Sequence, residues 1–202
     1  MTDYKETPIV ELAAIVADHL QQYGIKVVLV GGLAVEIYSA NLYLTKDIDM
    51  VNISYDPPAA MNNAMAEIGF IKHGRVYTND TTLICVEFPP APLAVGDELI
   101  KKTTIVKSDS GGKIPILLAS DVVKDRLTAY FHWSDKPSLV QALAVMLKHA
   151  IEPGELKQFC ESEGQAESFS RIVRLHQTAK ERQVDCMMEL ESLILTDTIN
   201  QL

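Results

Sequence analysis

Apolar and polar positions follow two different patterns along the chain. Up to about residue 118, short apolar runs alternate with turn signals, a pattern typical of strands joined by turns and occasional helices. From Leu118 onward, apolar residues recur at helical spacing almost to the end of the chain. We therefore expect an α/β domain over residues 1–118 and a helical region over residues 119–202.

The first part is predicted to form a small mixed sheet with helices mainly on one face. Helices are expected over residues 8–23, 33–40 and 59–68, where apolar residues return every three or four positions. Strands are expected over residues 27–30, 47–51, 82–88, 103–107 and 113–117, and a short hairpin over residues 70–77.

The second part is predicted to be an all-helical appendage that closes one side of a cleft. Its helices are expected over residues 121–133, 138–149, 155–163 and 167–195, with Pro153-Gly154 as a break. Ser120 is a favourable N-cap for the first of them.

Two aspartates begin the strand predicted at residues 47–51. Residues i and i+2 of a strand share a face, so Asp47 and Asp49 point one way while Ile48 and Met50 point towards a core. Neighbouring carboxylates repel each other unless a cation lies between them, and such hard oxygen ligands suit Mg²⁺. The alternative is that the aspartates only cap or solvate the end of the strand.

A pair of glycines, Gly31-Gly32, follows the strand predicted at residues 27–30 and precedes a short helix. Glycine permits a sharp turn and a close approach of the backbone to a ligand. The free N–H groups at the start of the helix would favour an anion there.

The order of strand, Gly-Gly, short helix and Asp-Ile-Asp resembles the nucleotidyltransferase superfamily, and most closely its small bacterial AbiEii-like proteins. This resemblance implies a third carboxylate on a later strand, for which Glu87 is the candidate; a solvated strand end is the alternative. It also implies an inward lysine followed by an aspartate in the helical part, matched by Lys124 and Asp135. The alternative for Lys124 is a network with Asp121 and Asp125 on a solvated helix surface.

One position departs from the family pattern. The related motif often has an arginine four residues before its first aspartate, where this chain has Tyr43. Thr45 and Lys46, just before Asp47, are candidates to contact a phosphate in its place.

Composition narrows the class of protein. The chain is 48% hydrophobic and 22% charged, which is typical of a globular protein, and its net charge of −9 argues against broad binding to nucleic acid. We expect neither a signal peptide nor a membrane span. The three cysteines are far apart and form no Cys-x-x-Cys pair, which favours a reducing cytoplasm over a disulfide framework or a zinc site.

The resemblance implies a Mg²⁺-dependent transfer of a nucleotidyl group from an NTP to a hydroxyl acceptor. The acceptor is left open among a small molecule, a protein and an RNA end, and AbiEii-like proteins imply a toxin–antitoxin context. In this interpretation Asp47, Asp49 and Glu87 bind metal and carry catalysis, while Gly31, Gly32, Thr45, Lys46 and Lys124 bind nucleotide. The alternative is a catalytically inactive protein of the same fold that binds a protein partner through its C-terminal helices.

Overall fold

The computed structural model describes residues 2–200. Within that range the strands are β1 (Val27–Val30), β2 (Asp47–Asn52), β3 (Ile71–His73), β4 (Val76–Thr78), β5 (Cys85–Glu87), β6 (Ala94–Val95), β7 (Glu98–Leu99), β8 (Thr103–Lys107) and β9 (Lys113–Leu117). The helices are α1 (Ile9–Gln22), α2 (Gly31–Tyr38), α3 (Pro58–Glu67), α4 (Ala119–Trp133), α5 (Lys136–Lys148), α6 (Pro153–Ser162), α7 (Ala166–Glu181) and α8 (Met187–Ile199).

Seven of these strands form one mixed sheet in the order β3-β4-β5-β2-β1-β9-β8. Strand β2 lies at its centre, antiparallel to β1 and parallel to β5, and β1 pairs in parallel with β9. The remaining two strands, β6 and β7, form a separate small hairpin inside the proline-rich connection. The predicted α/β class with a mixed sheet is therefore confirmed.

Helices α1 and α3 cover the sheet as one layer. Helix α1 packs against β1 and β9, α3 packs against β3, and the two helices contact each other. Leu12, Val16 and Leu20 form the apolar stripe of α1 and are fully buried. The imidazole of His19 lies 2.8 Å from the carbonyl oxygen of Ala64, which links the two helices by a hydrogen bond.

The chain groups into two compact units. Unit 1 comprises the chain up to Ala34 together with Thr45–Leu118, and unit 2 comprises Val35–Leu44 together with the chain from Ala119 onward. Unit 2 is built around α5, which contacts α4, α7 and α8 and is buried along nearly its whole length. A helix that is apolar on all sides is expected at the centre of such a bundle.

Two elements predicted before residue 118 have different bounds in the structure. The helix predicted at residues 33–40 begins at the glycines themselves and ends at Tyr38, because Ala40 and Asn41 adopt left-handed backbone angles that stop it. The strand predicted at residues 82–88 is paired only over Cys85–Glu87. Thr82 accounts for its late start, since its hydroxyl accepts the N–H of Ile84 and competes with strand pairing.

Two predictions for the helical part were also wrong. Helix α4 begins at Ala119, so Ser120 lies in its first turn and is not the N-cap. The single helix predicted over residues 167–195 is divided into α7 and α8. The break comes at Gln183, whose φ of 54° is left-handed and ends α7. None of the helices within residues 2–200 combines the length and apolar character that crossing a membrane requires.

Candidate active site

The two aspartates of β2 lie on one face of the sheet, as their spacing predicts. Ile48 and Met50 are fully buried on the opposite face, whereas Asp47 is exposed and Asp49 is partly buried. The apolar alternation fixes which face each residue takes, so the aspartates cannot turn inward without exposing the core residues. Both carboxylates therefore lie on the face of the central strand opposite the buried core residues.

Glu87 lies beside these aspartates. Strands β2 and β5 run parallel with Asp49 opposite Glu87 and Asp47 opposite Cys85. Residues in register on neighbouring strands point to the same face and are separated by about 4.8 Å along the hydrogen-bonding direction. The structure thus places three carboxylates, together with the thiol of Cys85, on one face. Sequence reasoning missed Cys85; its position two residues before Glu87 was the available signal.

Arg75 contacts the third carboxylate. Its Nε lies 3.6 Å from Oε1 of Glu87, and the side chain of Arg75 is 90% exposed while that of Glu87 is 29% exposed. The contact arises because Val76, the next residue, is in register with Glu87. An exposed pair of this kind is worth at most about 1 kcal/mol, so Glu87 can readily exchange Arg75 for another partner.

Gly31 makes room for Asp49. A Cβ atom at this position would lie 2.4 Å from Oδ2 and 3.1 Å from Cγ of Asp49, closer than carbon and oxygen can approach. Its φ of +64° also lies in the left-handed region that favours glycine. Gly31 and Gly32 open α2, so the free N–H groups of that helix begin beside the Asp49 carboxylate.

Thr45 and Lys46 precede the aspartates directly. The hydroxyl of Thr45 accepts the N–H of Asp47 at 3.3 Å, and the carbonyl of Lys46 accepts the N–H of Cys85 at 3.2 Å. The exposed side chain of Lys46 lines an open cavity of about 660 Å³ where β2 and β5 begin, together with Lys5. These contacts position the start of β2, and a role in phosphate binding stays a prediction.

Lys124 belongs to unit 2 and is buried. Its Nζ lies 2.7 Å from Oε1 of Glu155 and 5.9 Å from the ring centroid of Phe159, and the residue is only 8% exposed. Asp121, one turn earlier, is equally buried. The alternative of a solvated network on the surface of α4 was therefore wrong.

Two neighbours of this region have structural roles. Asp135 occupies the N-cap position of α5 and accepts the hydroxyl of Ser138 at 2.5 Å. Burial, together with the negative charge of Asp121, raises the pKa of Tyr38 to about 12. Tyr38 is therefore a neutral hydrogen-bond donor throughout the physiological pH range.

The carboxylate face has the donor chemistry that suits a hard divalent cation, since aspartate and glutamate oxygens are the ligands that Mg²⁺ takes in proteins. Among residues 2–200, one set of three potential ligands has all its ligand atoms within 4.8 Å of one another, namely Asp185, Cys186 and Glu189 near the start of α8. Asp47, Asp49 and Glu87 are less tightly clustered than that set. The three residues share a face and Asp49 is in register with Glu87, so they would hold a cation after rotamer changes of their side chains.

Comparison with known proteins bears on the fold. Neither a protein-family model nor a curated protein matches the sequence. The crystal structure of an antigenic nucleotidyltransferase-like protein from Paracoccidioides brasiliensis superposes with a TM-score of 0.64 at 13% identity, over 90% of this chain and 94% of that one.

Two structures of the antibiotic-resistance factor ANT(2'')-Ia are more distant. Its solution structure has a TM-score of 0.47 at 12% identity, over 86% of this chain and 95% of that one. Its crystal structure in complex with adenylyl-2''-tobramycin has a TM-score of 0.44 at 12% identity, over 85% and 98% of the two chains. On the strength of the Paracoccidioides likeness, this chain has the fold of nucleotidyltransferase-like proteins.

Proposed function

We propose that the protein is a Mg²⁺-dependent nucleotidyltransferase that moves an NMP group from an NTP to a hydroxyl acceptor. The observation that carries the proposal is the register of β2 and β5, which sets Glu87 beside Asp49 and Asp47 on the face next to Gly31. The similarity in fold supports the proposal. A Gly-Gly and Asp-Ile-Asp motif that had arisen by chance would not be expected to lie in the sheet of a nucleotidyltransferase-like fold.

Each residue then has a distinct role. Asp47 and Asp49 would hold the metal, and Glu87 would either complete a second metal position or accept the proton of the attacking hydroxyl. A bond forms between the acceptor oxygen and the α-phosphorus while the bond to the bridging oxygen breaks, and pyrophosphate leaves with the electron pair. When bound, Mg²⁺ would neutralise negative charge on the phosphates.

The phosphates need partners other than carboxylates. The N–H groups at Gly31 and Gly32 favour negative charge, because they have no intrahelical partner and lie at the positive end of the helix dipole. Thr45, Lys46 and Lys124 are proposed as further phosphate partners. Tyr43 cannot supply the charge of the arginine that the family pattern has at its position.

A Glu87→Gln variant tests the catalytic role. We expect it to bind Mg²⁺-NTP like the wild type while turnover falls by about 10²–10⁴-fold, because an amide cannot accept the proton. The measurements are the shift in melting temperature with Mg²⁺-NTP and label transfer from an α-labelled NTP to acceptors in a cell extract. Glu98→Gln, a matched change on the separate β6–β7 hairpin, should behave like the wild type in both. Full label transfer by Glu87→Gln would remove the proposed role.

Lys124 is tested together with its partner Glu155. We expect Lys124→Ala to weaken NTP binding by about tenfold or more, since a charge-assisted hydrogen bond to phosphate is lost. Glu155→Gln is the control, because it keeps the lysine and removes only the competing carboxylate; its NTP affinity should be equal or higher. Titration of both variants with NTP and Mg²⁺ decides the question, and equal affinities for Lys124→Ala and the wild type would rule the role out.

The acceptor and the cellular setting are the finer parts of the proposal. A small molecule, a protein hydroxyl and an RNA end are all compatible with the site, and a toxin–antitoxin role rests on the AbiEii-like resemblance alone. All three cysteines are free thiols, which is compatible with a cytoplasmic location. If the wild type neither binds Mg²⁺-NTP nor transfers label, the inactive binding module with a protein partner at its C-terminal helices becomes the better interpretation.

A further inference from the structure

A second cavity lies in unit 1, apart from the carboxylate face. It has a volume of about 340 Å³, which is within the range of small-molecule sites. Its wall includes Met61 of helix α3 and Phe88, the residue after β5. The β3–β4 hairpin contributes Lys72, Arg75 and Tyr77. Pro89, Pro90 and Ala91 also line the cavity and make this part of its wall apolar.

This cavity lies against the opposite face of the sheet. Tyr77 is in register with Val86, one residue before Glu87, so its side chain points away from the carboxylates. Phe88 follows Glu87 and takes the same side as Tyr77. The rings of Tyr77 and Phe88 pack edge to face, with centroids 5.4 Å apart. Tyr77 is buried, and its hydroxyl donates a hydrogen bond to Oδ1 of Asn62 at 2.5 Å. The floor of the cavity is therefore aromatic.

Two positively charged side chains, Lys72 and Arg75, lie at the rim of this cavity, although the whole chain carries a net charge of −9. Lys72 places its Nζ 5.6 Å from the ring centroid of Tyr77, and within residues 2–200 no carboxylate oxygen lies within 4.0 Å of that ammonium. Among the residues that the structure describes, the ion-pair partner of Arg75 is Glu87, through the weak, exposed contact at 3.6 Å. Asp56, the acidic side chain among the described residues of the lining, accepts a hydrogen bond from the hydroxyl of Ser54. The two cations thus favour an anionic ligand.

Tyr55 completes the rim with an available aromatic ring. It is 71% exposed, and its φ of 59° is left-handed, which is uncommon for a bulky residue. A backbone held in so unfavourable a conformation is more frequent at ligand sites than elsewhere. An exposed aromatic ring beside an aromatic floor suits a planar ligand, because offset stacking is favourable.

We propose that this cavity binds a small aromatic phosphate of the nucleoside monophosphate class, with its ring between Tyr55 and Phe88 and its phosphate held by Lys72 and Arg75. None of the three carboxylates is among the described residues that line the cavity, and the proposal does not depend on the proposed transferase activity. The two sites share one residue, since Arg75 contacts Glu87 at 3.6 Å from one side and lines the cavity on the other.

The test is a calorimetric titration with AMP in the absence of divalent metal. We expect Lys72→Ala to weaken AMP binding by about tenfold, because an exposed phosphate loses one charged partner. Lys107→Ala is the matched control, an exposed lysine on β8 at the other edge of the sheet, and should bind like the wild type. Adenosine and ribose 5-phosphate, which each lack one half of the ligand, should bind more weakly than AMP.

Arg75 provides a second, independent variant. Arg75→Ala should also weaken AMP binding, whereas Glu87→Gln should strengthen it about two- to fivefold, because the exposed pair that competes for the guanidinium is removed. A merely structural role of the cavity would not produce opposite effects at these two positions.

The outcomes are separable from those of the transferase proposal. An Asp49→Asn variant should keep its full AMP affinity even where it loses Mg²⁺-NTP. Absence of saturable AMP binding to the wild type, or equal AMP affinity of Lys72→Ala and Lys107→Ala, would overturn the assignment of this cavity while leaving the carboxylate face untouched.

Discussion

Replacing Asp49 with asparagine is expected to abolish Mg²⁺-NTP binding and to lower nucleotidyl transfer by about a thousandfold. Asp49 is central among the three carboxylates, since it shares a strand face with Asp47 and is in register with Glu87. An amide keeps the shape of the side chain but removes the negative charge that holds the cation. Without metal the variant should be as stable as the wild type or more stable, because one source of like-charge repulsion is gone.

The measurement is denaturant unfolding without metal, followed by titration with Mg²⁺-NTP. Asp109→Asn is a suitable control, because it makes the same change at an exposed position in the loop between β8 and β9. If Asp49→Asn binds Mg²⁺-NTP like the wild type, the carboxylate face is not the metal site, and the proposed function fails with it.

Replacing Gly31 with alanine is expected to destabilise the fold by about 2–4 kcal/mol and to remove NTP binding. Two costs combine at this position. The left-handed φ of +64° disfavours any Cβ, and the new Cβ would meet Asp49 Oδ2 at 2.4 Å. The Asp49 carboxylate must then move away from the position it holds beside the start of α2.

Gly24→Ala separates these two costs. Gly24 has a similar φ of +77°, but a Cβ there meets nothing within 4 Å, so only the backbone cost of about 1–2 kcal/mol remains. Urea unfolding and NTP titration of both variants give the comparison. Equal destabilisation with intact NTP binding in both would mean that the space beside Asp49 has no part in the site.

The pattern of apolar residues was sufficient to locate the central strands. Ile48 and Met50 fix the face of β2, so the common side of Asp47 and Asp49 followed from the alternation alone. Strands β8 and β9 have the predicted bounds, because the glycine-containing turn between them leaves little choice of register. Where one face is strongly apolar, the local pattern decides the structure.

The partners of these strands could not be predicted in the same way. Glu87 is 38 positions after Asp49, and only the parallel pairing of β2 with β5 shows that the two are neighbours. The sequence left Glu87 equally well explained as a solvated strand end. Cys85 depends on the same pairing, and Arg75 depends on the pairing of β4 with β5; no local pattern indicates either.

Long-range charge pairing explains why the solvated alternative for Lys124 was wrong. A polar stripe on α4 is typical of a surface, and nothing near it in sequence distinguishes a buried lysine from an exposed one. Glu155, on a different helix, supplies the carboxylate that makes burial of the ammonium tolerable. The break between α7 and α8 was missed for a different reason, because Gln183 has no glycine-like signal for its left-handed angle.

Helix α2 begins in one unit and ends in the other, and this has a consequence for how the chain can be divided. Residues 35–44 belong to unit 2, where the ring of Tyr38 meets that of His149 edge to face at a centroid distance of 5.0 Å. The helical unit is therefore discontinuous in sequence. During synthesis this first segment leaves the ribosome about 75 residues before Ala119, and His149, whose ring contacts Tyr38, is made later still. A fragment that starts at residue 119 lacks residues 35–44 and therefore part of the core of unit 2. The change of sequence pattern near residue 118 is thus not a boundary at which the protein can be cut into two independently folding parts.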